Sequence, residues 1–368
     1  MIRCFVSLAC CVCLTFCALA RQAEPAASPA QPAGQPASSA SPAAGPPRVT
    51  LDVVVRDKSG NPVAGLRQED FTILDSKQPQ PIVSFQAVGG GSEHTGLEVI
   101  LVIDALNTGF DRVSFARLQI EKFLRQDAGK LAWPVSIDFL TDAGLRVQNT
   151  PSRDGNAVIS YLEQNPNGLR VSGRSQGFYG ASDRAQLSLR SLGELAQIEE
   201  QRPGRKIVIW LSPGWALLTG PRVQLSHKDQ ESIFNTAVSL STHLRQARIA
   251  LYTVDPLGTD DAGRLRTFYY EQFLKGLTSA GKAQFANLAL QVFAQQSGGR
   301  ILNSDNDIAG EIESCIRDAS AYYVLAYEAP AADGPNDYHS IEVKLNQPQL
   351  KAQTRTGYYD QPVRPRTP

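Results

Sequence analysis

A chain of 368 residues that is 42% hydrophobic and 20% charged has the balance of a globular protein, with room for one large or two medium domains. Lysine plus arginine equals aspartate plus glutamate, 36 of each. No net field draws in nucleic acid and there is no acidic tail, so no nucleic-acid role is expected.

Arg3 and an apolar run over residues 4–19, closed by the small residues Ala18 and Ala20, predict a cleavable export signal at 1–20. The run is shorter than the roughly 20 residues of a membrane span. No later stretch is long enough either, so the mature chain is expected to have no transmembrane helix. Five of the six cysteines lie in this segment and only Cys315 remains, which excludes an internal disulfide or a cysteine metal cluster. The expected location is secreted or periplasmic. A second reading, lipid anchoring at Cys17, meets an obstacle in the bulky Phe16 before it.

Residues 21–47 are nearly all Ala, Pro, Gln, Ser and Gly. They bury too little apolar surface to offset ordering entropy and are expected to form a disordered linker. Residues 48–92 have a period of two. Val49, Leu51, Val53 and Val55 alternate along one strand, and 71–74 and 82–85 continue as strands around a polar turn at 75–77.

From residue 93 to 328 short apolar runs alternate with helical stripes, the pattern of βαβ units around a mainly parallel sheet. The runs are 99–103, 135–140, 207–211, 249–254 and 322–327. The stripes are Phe115/Leu118/Phe123, Leu189/Leu192/Ala196, Ile233/Ala237/Leu240/Leu244, Phe285/Leu288/Val292 and Ile308/Ile312/Cys315/Ala319. Cys315 is therefore expected in the core as a small apolar residue. Over 329–360 the period returns to two, with Ile341, Val343 and Leu345 on one face. These strands are expected to join those of 48–92 in a small β-sandwich-like domain, with the α/β domain inserted between them. Residues 361–368 read as a disordered tail.

Open α/β sheets bind ligands beyond the carboxyl ends of their strands. The residues there are Asp104, Asn107 and Thr108 after the first run, Ser212 and Trp215 after the central one, and Asp255 after the next. Ser182 and Asp183 precede a helical stripe and are expected to cap it.

The strand ending in Asp104-Ala-Leu-Asn-Thr108 resembles the opening of a von Willebrand factor A (vWA) domain. With Leu51-Asp-Val-Val-Val, Gly65-Leu-Arg-Gln-Glu-Asp-Phe71, Lys206-Ile-Val-Ile-Trp-Leu-Ser-Pro-Gly214 and Arg355-Thr-Gly-Tyr-Tyr359, the chain resembles VWFA-related exported bacterial proteins over nearly its whole mature length. The resemblance implies a vWA/Rossmann-like, doubly wound sheet with helices on both faces, and adhesion, ligand-binding or assembly roles. It also implies a metal site held by an Asp-x-Ser-x-Ser loop, a Thr loop and a Thr-Asp-Gly loop. Here the first Ser position is Leu106, and the third loop reads Ser212-Pro-Gly214 without its carboxylate. Asp104, Thr108 and Ser212 remain as a degenerate metal set, with Ser182 nearest to a second-loop ligand. Mg²⁺ takes oxygen ligands including one or two carboxylates, so no cofactor is expected beyond weak Mg²⁺ or Ca²⁺. Asn107 offers an amide oxygen or a cap for its own turn.

Residues 276–282 fit the start of a phosphate-binding loop, but Ala283 replaces the hydroxyl that would hold Mg²⁺, and a turn is expected instead. The four histidines are scattered and no Gly-x-Ser-x-Gly elbow occurs, so zinc and serine-hydrolase chemistry lack support. Trp215 and the aromatics 268–270 read equally as partner anchors or as packing over the sheet top. The expectation is a non-enzymatic binding module for a protein ligand or envelope complex. The alternatives are an exported hydrolase using Asp104 or Asp255, and a structural envelope protein.

Overall fold

The computed structural model describes residues 47–89, 96–165, 178–215, 224–256, 270–303, 305–330 and 334–360. The export signal, linker and tail inferred from sequence lie outside them.

The α/β layer is built on β5 (Leu97–Asp104), β6 (Lys130–Thr141), β7 (Gly144–Arg146), β8 (Ser152–Asp154), β9 (Arg205–Leu211), β10 (Ile249–Val254) and β11 (Ile301–Leu302). Its sheet runs β11-β10-β9-β5-β6-β7, with β8 also on β6. All pairings from β11 to β6 are parallel, and β7 and β8 pair antiparallel to β6. The connecting helices are α1 (Phe110–Leu124), α2 (Gly155–Gln164), α3 (Phe178–Glu200), α4 (His227–Gln246), α5 (Leu290–Gln296) and α6 (Ile308–Arg317). Among the described residues no helix is long and apolar enough to cross a membrane.

Two-residue periodicity divides the sheet's side chains between two cores. Val99, Leu101 and Ile103 of β5 pack with α1, α2 and α6 through Ile120, Val158 and Ile312. Ile100 and Val102 pack on the other face with α3 and α4 through Leu192, Ile233 and Leu240. Burial on both faces is why the central strands read as continuous apolar runs. Cys315 is fully buried among the first group, as expected.

The terminal segments form two antiparallel sheets. One contains β1 (Arg48–Arg56), β4 (Ser84–Gly89), β12 (Ala321–Glu328) and β14 (Lys351–Gln353), in the order β14-β1-β12-β4. The other contains β2 (Phe71–Asp75), β3 (Gln78–Gln80), β13 (Tyr338–Leu345) and β15 (Gly357–Tyr359), in the order β15-β13-β2-β3. Leu51, Val53, Ile73, Tyr323, Leu325 and Ile341 close the space between them. Val54 and Tyr322 project from the opposite face of the first sheet into the α/β core.

That shared wall corrects one expectation. The run 322–327 is not a parallel strand of the α/β sheet; it is β12, antiparallel to β1 and β4. A continuous apolar run reports burial on both faces and not strand direction. A second correction concerns α1, where Leu118 is 62% exposed. The inward stripe is Val113, Ala116, Ile120, Phe123 and Leu124, and Phe115 is only partly buried against it. The stretch 276–282 ends in a short 3-10 turn at Ala280–Lys282, in keeping with the turn reading.

Candidate functional site

The order of the parallel strands reverses between β5 and β9, because the chain leaves β5 toward β6 and returns across it to β9. The carboxyl ends of these two strands therefore open the crevice where such sheets bind ligands. Asp104 ends β5 and Ser212 follows β9, and their side chains meet there.

Asp104 has no exposed surface. Its Oδ1 accepts the backbone amides of Leu106 (3.1 Å) and Asn107 (2.9 Å). The Asn107 amide nitrogen reaches both carboxylate oxygens, at 3.1 and 2.9 Å. Oδ2 also accepts from Ser212 Oγ at 2.8 Å and from Trp210 Nε1 at 3.2 Å. Ser212 in turn accepts the Gly214 amide at 3.1 Å. Gly214 turns the chain at φ +100°, and a Cβ there would meet the Gln291 side chain at 2.5 Å. The Ser-Pro-Gly sequence is thus a tight turn locked against α5, and Gln291 Nε2 donates to Pro213 O at 3.3 Å.

Burial raises the Asp104 carboxyl above the usual aspartate range, against the hydrogen bonds from Asn107, Ser212 and Trp210 that pull it down. Every one of these contacts comes from a neutral donor, and a carboxylate offers about four lone-pair sites. Two neutral oxygens beside it have no hydrogen-bond partner, Asn107 Oδ1 and Thr108 Oγ1. Of the two roles open to Asn107 in the sequence, the side chain stays within its own loop and turns its nitrogen toward Asp104. Among the described residues, no three His, Cys, Asp or Glu side chains form a group able to hold a metal ion.

The second-loop position is filled differently from the sequence reading. α3 already begins at Phe178, so Ser182 and Asp183 lie within the helix and do not cap it. Asp183 is exposed. The residue that reaches the cluster is Ser188, one to two turns further along. It accepts from Asn107 Nδ2 at 2.9 Å and donates to Arg184 O at 2.8 Å. Ser182 instead lines a neighbouring cavity of about 260 Å³ together with Trp215, Leu189, Ile233, Thr236 and Leu288.

Trp215 is only 6% exposed. Its ring packs edge-on to Trp210 at 6.0 Å and tilted to Phe293 at 6.4 Å. It is part of the wall of the site and not a surface anchor. Tyr270 is likewise buried, beside Ala289 and Val292; Phe268 and Tyr269 lie outside the described residues. Asp255 is buried after β10, its amide bonded to Leu302 O at 2.9 Å. It belongs to a separate acidic group, in which burial, then Asp305 and Asp255, push the Glu311 carboxyl up to about 8.

Two participants, Ser188 and Trp210, and one exposed neighbour in sequence, Phe110, escape sequence reasoning. Ser188 carries no signal because mid-helix serines are common. Trp210 is readable as the last inward aromatic of β9. Phe110, which opens α1 immediately beyond the Asp104 loop, is 50% exposed and looks like any first-turn residue.

No family model matches the chain, and no curated protein sequence matches it. Solved structures similar to it include an aerotolerance-related membrane protein from Bacteroides fragilis, at 12% identity over 61% of this chain and 98% of that one, with a TM-score of 0.34. The pilus adhesin SpaC from Lactobacillus rhamnosus GG is 9% identical over 81% of this chain and 49% of its own, with a TM-score of 0.37. Manganese-loaded TRAP protein from Plasmodium vivax is 12% identical over 74% and 96%, with a TM-score of 0.31. Likeness this remote bears on neither ligand nor chemistry.

Proposed function

We propose that this chain is an exported, vWA-like binding module that engages a protein partner at the crevice between β5 and β9 without a bridging metal. The observation that carries the reading is the filled hydrogen-bond shell of Asp104. In a metal-bridged module this carboxylate would face the cation. Here Ser212 and Trp210 donate to it from the opposite strand. A divalent ion would have to displace both donors and accept neutral Asn107 and Thr108 oxygens as its remaining side-chain ligands. That donor set does not fit Mg²⁺. What remains is a set of hydrogen-bonded loops followed by the exposed Phe110, and an exposed aromatic beside such loops suits a protein contact.

We also read the site as non-catalytic. Ser212 Oγ donates its proton to a buried carboxylate. Among the described residues His227, His243 and His339 face Glu231, Glu200 and Asp75, so none is placed to activate that hydroxyl.

The test is affinity capture with the tagged chain, run with and without chelator. The expected result is a saturable, stoichiometric partner retained in chelator and weakened by Phe110→Ala. Calorimetry with Mg²⁺, Mn²⁺ and Ca²⁺ supplies the opposing result: micromolar binding abolished by Asp104→Ala overturns the metal-independent reading. Turnover in a hydrolase panel that depends on Asp104 would overturn the non-catalytic one.

A further inference from the structure

The first sheet of the sandwich ends in a strand without the usual protection of an edge. β4 is six residues long and pairs with β12 alone, in a register running from Ser84 opposite Ala326 to Gly89 opposite Ala321. The strands at the other sheet ends, β14, β15, β3, β11 and β7, are only two or three residues long. Of these, β3 also carries Pro79, and β7 and β14 carry Arg146 and Lys351. Short length, proline and charge are the devices that keep a free row of backbone N–H and C=O groups from pairing with another chain. β4 has none of them. From Pro81 to Ser92 there is no charged residue, and no proline lies within the strand. Ser84, Gln86 and Ala87 are exposed, as is Val83 just before them, at 43%.

A segment that pairs there must be extended and must bring no charge into an uncharged row. The strand itself meets both conditions. Tyr323 and Leu325 of β12 belong to the sandwich core, and Ala87 and Phe85 lie opposite them on that face. Tyr322 and Val324 turn to the α/β core, and Val88 and Gln86 lie opposite them on the other face. A one-residue slip would exchange the two faces. A two-fold axis perpendicular to the sheet through Gln86 avoids this. It sets Gln86 against Gln86, Phe85 against Ala87 and Ser84 against Val88, so every pair shares a face and no like charges meet. The 21–47 segment suits the edge less well. No six consecutive residues of it lack a proline, and proline cannot donate to a ladder.

We infer that β4 is the contact through which two copies of this chain associate, antiparallel and edge to edge about an axis at Gln86, joining their sandwich sheets into one. A single-strand contact falls at the small end of interface sizes, below about 1,200 Å², so the association is reversible and depends on concentration. The contact belongs to the sandwich and does not rest on the reading of the Asp104 crevice.

The experiment is sedimentation velocity of the full chain in reductant over a concentration series, with Gln86→Lys and Gln86→Glu run singly and mixed. The expected result is a monomer–dimer equilibrium. Each variant alone should weaken it about fivefold, because like charges meet at the axis, and mixing the two should restore it. A variant that merely misfolds would not be rescued by its opposite. Register is read by oxidising Gln86→Cys and Ser84→Cys in a chain whose Cys4, Cys10, Cys11, Cys13 and Cys17 are replaced by Ser; Cys315 is buried. Only Gln86→Cys should give a disulfide-linked dimer. A monomer at every concentration, a dimer indifferent to both charges, or equal cross-linking at 84 and 86 overturns the inference. A monomeric chain whose partner capture is lost in Gln86→Lys overturns it too, and gives the edge to a strand of the partner.

Discussion

Asp75 and Asp104 are both buried aspartates at the ends of strands, and they do opposite jobs. Asp75, 1% exposed at the end of β2, gathers partners from across the sandwich. Its Oδ2 accepts from Tyr327 at 2.8 Å and Tyr358 at 2.9 Å, from β12 and β15. Its Oδ1 lies 2.9 Å from His339 Nδ1 on β13 and 3.1 Å from the Ser76 hydroxyl. His339 stacks on Tyr358 with ring centroids 4.8 Å apart. The carboxylate therefore fastens one sheet of the sandwich to the other. Asp104 draws most of its donors from its own loop and from the single neighbouring strand β9. It orders the loops at the point where the strand order reverses and does not clamp two layers. A buried carboxylate in a sandwich core stabilises the fold, whereas one at a strand-order reversal is, on the proposed reading, what fixes a recognition surface.

If the contrast holds, Asp75→Ala is the most damaging single change. It orphans two tyrosine hydroxyls and an imidazole in the core, at about 3–5 kcal/mol of stability in urea unfolding. Asp104→Asn is expected to cost less, about 2 kcal/mol, because its loop can relax into the crevice and the amide retains one acceptor. Partner capture should fall in the Asp104 variant and survive in any Asp75 variant that folds. Equal stability losses with equal retention of binding would erase the distinction.

How far the sequence foretells this contrast depends on what each residue's neighbours are. The site of Asp104 is legible because a run of strictly apolar residues ending in a carboxylate marks a buried strand and its crevice. The alternating ends of the chain similarly reveal the sandwich and the pairing of its terminal segments. Asp75 reads as part of a polar turn, since its partners Tyr327, His339 and Tyr358 lie at least 252 residues away and no local spacing announces them. The direction of β12 is illegible for a related reason: burial on both faces arises equally from helices or from a second sheet. Trp215 stays open between anchor and packing in the sequence, because a tryptophan in a Gly/Pro-bounded loop fits both until the position of Trp210 is known.

Asp138 sharpens the comparison from a third side. It is buried in β6 with one backbone donor, Gln148, at 2.9 Å, and its Oδ2 has no partner. Burial, aided by Glu199 and Glu98, pushes its carboxyl up to about 7, against the pull of Gln148 and Arg202. The folded chain thus holds a proton that the unfolded chain releases near pH 4. Stability from this group is present at low pH and is lost as pH rises toward 7. Glu311, pushed up to about 8, acts in the same direction over a slightly higher window. Asp138→Asn should flatten the decline without abolishing it, and should be more stable than the parent at pH 8 by about 1–2 kcal/mol. Urea unfolding from pH 4 to 8 measures this. A wild-type stability that rises across that window would mean Asp138 carries its charge comfortably.

The smallest expected effect on stability tests the other half of the contrast, that the loops around Asp104 recognise and the sandwich supports. Phe110 and Leu118 both lie on the outer side of α1, 50% and 62% exposed. Truncating either to Ala removes little buried area, so each should change stability by no more than about 0.5 kcal/mol. Only Phe110 adjoins the Asp104 loop. Phe110→Ala should therefore weaken partner binding about tenfold, as loss of an aromatic contact at an interface does, while Leu118→Ala leaves it unchanged. Titrating both variants against the captured partner separates the two outcomes. Equal losses would move the contact surface down the length of α1, and no loss in either would move it off this helix altogether.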